Sequence, residues 1–148
     1  MEETYRRRIR VLSALLYFYG SFLRVAIKGM KDVIGEKGAT GILRFSSRKH
    51  GVDVARAIMK FTGAGTLKEV LEHSMSRLNV EPEIEELENV IRVKVKNCPF
   101  WKIKGEPLLC AITEGFLEGV GSLFNIKGIR RVQTKMAGAP ECVFELIK

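Results

Sequence analysis

Three features of this 148-residue chain predict an α+β domain. A long N-terminal stretch carries apolar residues at helical spacing, the period changes from 3.6 to 2 near Glu83, and helix returns between two hairpin-like runs. The order helices, hairpin, helix, hairpin predicts a small antiparallel sheet of about four strands, helices packed on one face, and an unusually apolar interior. The length suits a single domain over 1–148, helical over about 3–80, large enough to bury roughly two thirds of its unfolded surface.

From about Glu3 to Val33 there is no proline, and Val11, Leu12, Leu15, Leu16, Tyr19, Phe22, Leu23, Ala26, Ile27 and Met30 form a wide apolar stripe. A helix of ~30 residues is ~45 Å long, more than a compact domain of this size is wide. It is expected either to break near Gly20 and Ser21 or to reach onto a second copy of the chain, and a homodimer is the preferred explanation. Arg-Arg-Arg-Ile-Arg before this apolar run imitates a targeting signal, but no A-x-A-like cleavage site follows. Arg24, Lys28 and Lys31 interrupt the run short of the roughly 20 apolar residues that a membrane span needs. No membrane span is expected, and the stretch reads as a buried helix.

Shorter helices are predicted over Ala39–Lys49, Val52–Phe61 and Thr66–Leu78, separated by Gly51 and by the loop Thr62-Gly63-Ala64-Gly65. Thr66 with Glu69 has the spacing of a capping box. Glu83 to Glu88 then form an acidic strand and Val90 to Lys96 a basic one, with Ile91, Val93 and Val95 facing one way and Arg92, Lys94 and Lys96 the other. Cross-strand ion pairs on a solvated sheet face are expected. After the break at NCPFWKIKGEP, a helix from about Glu106 to Phe124 buries Leu108, Leu109, Ile112, Phe116, Val120 and Leu123, with Glu114 and Glu118 outside. Gly115, Gly119 and Gly121 weaken that helix, so something must approach its backbone closely. A hairpin of about Ile129–Met136 and Cys142–Ile147 follows.

The net charge is +8, with residues 1–50 contributing +7, residues 51–100 −1 and residues 101–148 +2. The excess sits near the N-terminus, away from any recognition helix or spaced stacking aromatics, which argues against a nucleic-acid partner. Three cysteines without framework spacing, Cys98, Cys110 and Cys142, suggest a reducing cytoplasm and free thiols. There is no G-x-S-x-G, H-E-x-x-H, Walker loop or pair of Cys-x-x-Cys knuckles, and Gly63-Ala64-Gly65 is no phosphate loop. His50 falls at a helix end and His73 within a helix, far in sequence from each cysteine.

The last third carries a more specific pattern. Asn97-Cys98-Pro99-Phe100, Cys110, Gly115-Phe116, Gly119, Gly138 and Cys142-Val143-Phe144 together resemble the C-terminal core of the 4-vinyl reductase domain family, over about residues 88–148. That family includes aromatic-sensing regulators and stand-alone archaeal proteins. The resemblance implies an α+β fold similar to vesicle-tethering-complex subunits, a homodimer, and a closed hydrophobic pocket for a hydrocarbon-like or aromatic ligand. Phe18, Tyr19, Phe22, Phe45, Phe61, Trp101 and Phe116 are the candidates to line it, each also an ordinary core aromatic when taken singly.

Zinc-binding members of the family resemble E-x2-C-x3-G-x3-C in the last hairpin, with a further cysteine from the preceding helix. Here Cys110 and Cys142 match, Gly138 lies between the hairpin positions, Thr134 replaces a cysteine and Arg131 the glutamate. Two thiolates remain, with Cys98 as a candidate third and Glu141 or a water as a fourth. Two outcomes follow: a zinc site, or its packed, reduced remains.

The expected function is non-catalytic binding or sensing of an apolar or aromatic small molecule in a cytoplasmic homodimer. The alternatives are an enzyme or enzyme subunit acting on a tetrapyrrole-like cofactor, and a protein-assembly module of the tethering-subunit type.

Overall fold

The computed structural model describes residues 2–78, 80–98, 100 and 106–148, and Trp101 lies outside the described residues. Two compact units are present, residues 1–39 and residues 40–148.

Helix α1 (Glu2–Thr62) departs from helical geometry at Gly35, with φ 74° and ψ 167°. The expected break at Gly20 and Ser21 is not where the chain bends. Those residues can stay helical, whereas the left-handed φ at Gly35 is open to glycine at no steric cost. The expectation of a buried N-terminal helix also fails within the chain. Ile27 is buried, but the other large apolar residues from Tyr5 to Phe22 lie open, Phe18 being 63% exposed.

In the second unit, α1 continues through Gly51 to Thr62, so the two helices expected on either side of Gly51 are one. Gly51 is buried against Phe116 of helix α3 (Leu109–Ser122), where an added Cβ would stand 2.3 Å from the Phe116 carbonyl oxygen. Gly115 and Gly119 of α3 meet α1 in the same way. Their missing Cβ atoms would fall 2.3 Å from the Arg44 carbonyl oxygen and 2.1 Å from that of Arg48. The close approach that these glycines demanded is therefore the backbone of α1. Helix α2 (Leu67–Ser76) begins with the expected capping box: Thr66 accepts from the Glu69 N–H, and the Glu69 carboxylate accepts from the Thr66 N–H at 3.0 Å.

The sheet comprises β1 (Pro82–Glu86), β2 (Val90–Val95), β3 (Gly128–Gln133) and β4 (Cys142–Ile147) in the order β1-β2-β4-β3, antiparallel throughout. Its inner face offers Val93, Val95, Cys142, Phe144 and Leu146 to Leu117 and Val120 of α3, to Val70 and Leu71 of α2, and to Ala55 and Ile58 of α1. The outer face is laced as the charge alternation predicts. Lys94 donates to Glu83 at 3.3 Å and to Glu85 at 2.5 Å. On central β4, Glu145 is buried between two flanking strands and accepts from Arg92 at 2.9 Å and from Arg130. Those guanidiniums, Arg130 foremost, hold its carboxyl below the usual range.

Candidate ligand site

Between α3 and the sheet lies a small cavity of about 20 Å³. β2 and β4 supply Val95, Cys142 and Phe144 to its wall. α3 supplies Leu109, Cys110 and Thr113, one helical turn placing the last two on the same side. Cys98, Phe100 and Met136 complete the described lining. The space holds about one water, and among the described lining residues Thr113 is the one hydroxyl in an otherwise apolar and thiol wall.

The three thiols differ in their surroundings. Cys142 is buried at the start of β4, where its sulfur accepts the Cys98 thiol and the Lys135 backbone N–H, the latter at 3.3 Å. The Cys98 hydrogen bond, aided by that N–H and by the charges of Lys135 and Arg131, brings Cys142 down to about 6. Cys98 is pushed up, because it keeps the proton that the pair shares. Burial also pushes Cys110 up, against a hydrogen bond from Thr134 and the positive charge of Arg131.

The hairpin positions matched to a metal site thus do come together. Arg131 and Thr134 are three residues apart, a spacing that would put them on opposite faces of a regular strand. A bulge resolves this. Arg131 pairs with Phe144 and Gln133 with Val143, leaving Val132 as the extra residue, so that both Arg131 and Thr134 are turned toward α3. Arg131 makes an ion pair with Glu114 there. Glu114, expected on the outer surface, is in fact buried: α3 turns one side to α1 through Gly115 and Gly119 and another to the sheet through Cys110, Glu114 and Leu117.

This set does not fit a closed zinc tetrahedron. Arg131 and Glu114 neutralise each other, Thr134 hydrogen-bonds Cys110, and Cys98 shares a proton with Cys142. Among the described residues, no group of three or more His, Cys, Asp or Glu side chains is placed to hold a metal ion.

The aromatic candidates are dispersed. Phe18 and Phe22 lie open on the first stretch of α1, Phe45 and Phe61 lie open on residues 40–62, and Phe116 is half-buried with its ring 6.1 Å from that of His50. None of these five is in the described wall of the cavity. Thr113, Met136 and Phe144, which are in it, are not among the aromatic and metal candidates that the sequence offers. Their signal was the helical turn from Cys110 to Thr113 and the two-residue alternation from Cys142 to Phe144.

No protein-family model matches the chain, and no curated protein matches it. Solved structures do. The phenol-responsive sensory domain of the transcription activator PoxR, solved with phenol, aligns with TM-score 0.62 and 16% identity over 85% of this chain and 72% of that one. Trafficking protein particle complex subunit 3 from Naegleria fowleri, covalently bound to palmitic acid, aligns with TM-score 0.60 and 14% identity over 91% and 93%. A structure from work on heme distortion in the H-NOX family aligns with TM-score 0.56 and 12% identity over 85% and 70%. At these identities the likeness is one of fold: the chain shares its architecture with a phenol-responsive sensory domain, a member of the H-NOX family and a trafficking-complex subunit.

Proposed function

We propose that the chain is a non-catalytic sensing domain that binds a small apolar or aromatic molecule between α3 and the sheet. The observation that carries this reading is the cavity whose described wall is apolar and thiol-bearing, with the Thr113 hydroxyl as one polar group able to orient a ligand. The PoxR sensory domain of the same fold was solved with phenol. At about 20 Å³ the cavity must widen to admit an aromatic ring, and Met136 and Phe100 are the wall residues whose displacement would make room. A cytoplasmic homodimer belongs to the proposal. Phe45 and Phe61, exposed on residues 40–62, offer a second copy an apolar face.

The test is calorimetric titration with phenol, alongside native mass spectrometry of the purified protein for a co-purifying apolar molecule. Thr113→Phe crowds the cavity and is expected to abolish phenol binding, at a cost in stability of roughly 1–3 kcal/mol because a ring overpacks so small a space. Equal binding by wild type and Thr113→Phe would place the site elsewhere; no binding of phenol and no co-purifying molecule would refute the reading. In that case the exposed face of residues 40–62 would favour an assembly module, as in the tethering-complex subunit of similar fold. Its sign would be stable complex formation with another protein that Phe45→Glu abolishes.

A further inference from the structure

The first stretch of α1 carries a charge pattern that the ligand-sensing reading leaves unused. Between Glu3 and Asp32 there are seven basic residues and no acidic one. At 3.6 residues per turn, Arg6, Arg10, Arg24, Lys28 and Lys31 fall on one side of the helix. The opposite side is a broad apolar arc that includes Val11, Leu12, Leu15, Phe18, Phe22 and Val25, all of them exposed, with Arg7 and Arg8 entering it only at the N-terminal end. An 18-residue window of this helix reaches a mean hydropathy of 1.4, yet only 6% of it is buried. Contiguous apolar surface on this scale is not left in water without a partner.

Three occupants could cover it, and the charges discriminate between them. Arg6 is ion-paired with Glu2, but a second copy would still bring a second set of cations beside Arg7, Arg8, Arg10, Arg24 and Lys28, with no carboxylate between Glu3 and Asp32. By length and composition the helix could cross a membrane, but its uncharged run Val11–Leu23 is 13 residues, ~20 Å of helix against a hydrocarbon core of ~30 Å, so a spanning placement would draw Arg10 or Arg24 into the hydrocarbon. An anionic bilayer surface satisfies both halves of the pattern. A helix lying in the interface sinks its apolar arc among the acyl chains and keeps its basic side at the headgroups. Tyr5, Tyr17 and Tyr19, each with an apolar ring and a polar tip, suit that depth.

We propose that the first stretch of α1 is an in-plane anchor for an anionic bilayer surface, with Leu15, Phe18 and Phe22 inserted and the Arg6-to-Lys31 side facing the phosphates. Flotation of the full-length protein with phosphatidylcholine vesicles, and with the same vesicles containing phosphatidylglycerol, tests it. Recovery is expected with the anionic vesicles, weakly or not at all with the neutral ones, and less at moderate than at low salt. Changing Arg6, Arg7, Arg8 and Arg10 to Gln is expected to weaken binding roughly 100-fold or more, each cation near the surface being worth about fivefold. Leu15→Glu with Phe22→Glu, two exposed positions, should abolish binding while far-ultraviolet circular dichroism stays unchanged.

No flotation with anionic vesicles would overturn the proposal, and a dimer made monomeric by Leu15→Glu with Phe22→Glu would then identify a second copy as the occupant. Flotation that survives that pair would mean charge attraction without insertion and would also overturn it. Equal recovery with neutral vesicles, resistant to alkaline carbonate, would mean that the helix spans the bilayer.

Discussion

Replacing Gly119 with alanine should destabilise the protein, although the same change normally strengthens a helix. In a helix interior free of contacts, Gly→Ala gains about 1 kcal/mol. At Gly119 the new methyl group would stand 2.1 Å from the Arg48 carbonyl oxygen, 2.9 Å from its carbonyl carbon and 3.1 Å from its Cα. An ordinary contact needs more than 3.4 Å from that oxygen, so α1 and α3 must part by about 1 Å. The obstacle is backbone and cannot change rotamer. Overpacking of this kind costs roughly 1–3 kcal/mol, occasionally more, and parting the helices also loosens the flanking Gly115–Arg44 and Gly51–Phe116 contacts. The net expectation after the propensity gain is a loss of about 1–3 kcal/mol, or a fall in melting temperature of roughly 3–12 °C. Gly41→Ala is the matched control. Gly41 lies in α1 with nothing within 4 Å of its missing Cβ, and its substitution should stabilise by roughly 0.5–1 kcal/mol. Thermal melts followed by circular dichroism measure both. If Gly119→Ala melts at or above the wild-type temperature, the backbone contact between α1 and α3 is not as described.

Two further predictions concern the thiol cluster and the ion pair beside it. Cys142 sits at about 6 in the folded protein, against an ordinary 9.0, so its contribution to stability is fully present above pH 9 and is lost as pH falls through 6. Cys98 and Cys110 are pushed the other way, and their contributions fade as pH rises past 9. The urea midpoint should therefore climb from pH 6 toward pH 9 and then decline. Cys142→Ser should flatten the climb, and a wild-type midpoint unaffected by pH over that span would contradict the assignment. Arg131→Met should cost roughly 1–3 kcal/mol by leaving the buried Glu114 carboxylate without its partner. Adding Glu114→Gln should restore part of that loss, and a double mutant whose cost is the sum of the two single costs would show that the pair is not coupled.

Much of this architecture was legible in the order and period of the elements. The alternation over residues 83–96 predicted two strands with a charged outer face, and the pairs from Lys94 to Glu83 and Glu85 supply it. Thr66 and Glu69 announced the start of α2 because a capping box is a local motif with a local cause. Glycines were harder to read. Gly51 looked like a helix break and serves instead as a contact surface, while Gly35 carries the left-handed φ. Composition does not distinguish these uses, since both exploit the missing Cβ. Glu114 was misplaced for a related reason: a helix with two buried sides does not follow the single-stripe rule, and a carboxylate on the second side needs a partner such as Arg131 from a distant strand. The bulge at Val132 left no sequence signature, although the odd spacing of Arg131 and Thr134 requires one. Of the candidate aromatics, Phe45, Phe61 and Phe116 are not in the described wall of the cavity, because an aromatic's type says how much surface it can cover and not which surface.

The carbonyl-to-glycine contacts between α1 and α3 have a mechanical consequence. Helices that meet through interlocking side chains can slip, because rotamers change and let one element shift past the other. Here three glycines abut backbone, leaving no rotamer at those points to absorb a push. Residues 40–62 and α3 must then travel together, like two bars bolted at three points. A ligand that wedges against Cys110 and Thr113 would not merely dent the cavity wall. Its displacement would be passed to Arg44 and Arg48, whose carbonyls Gly115 and Gly119 meet.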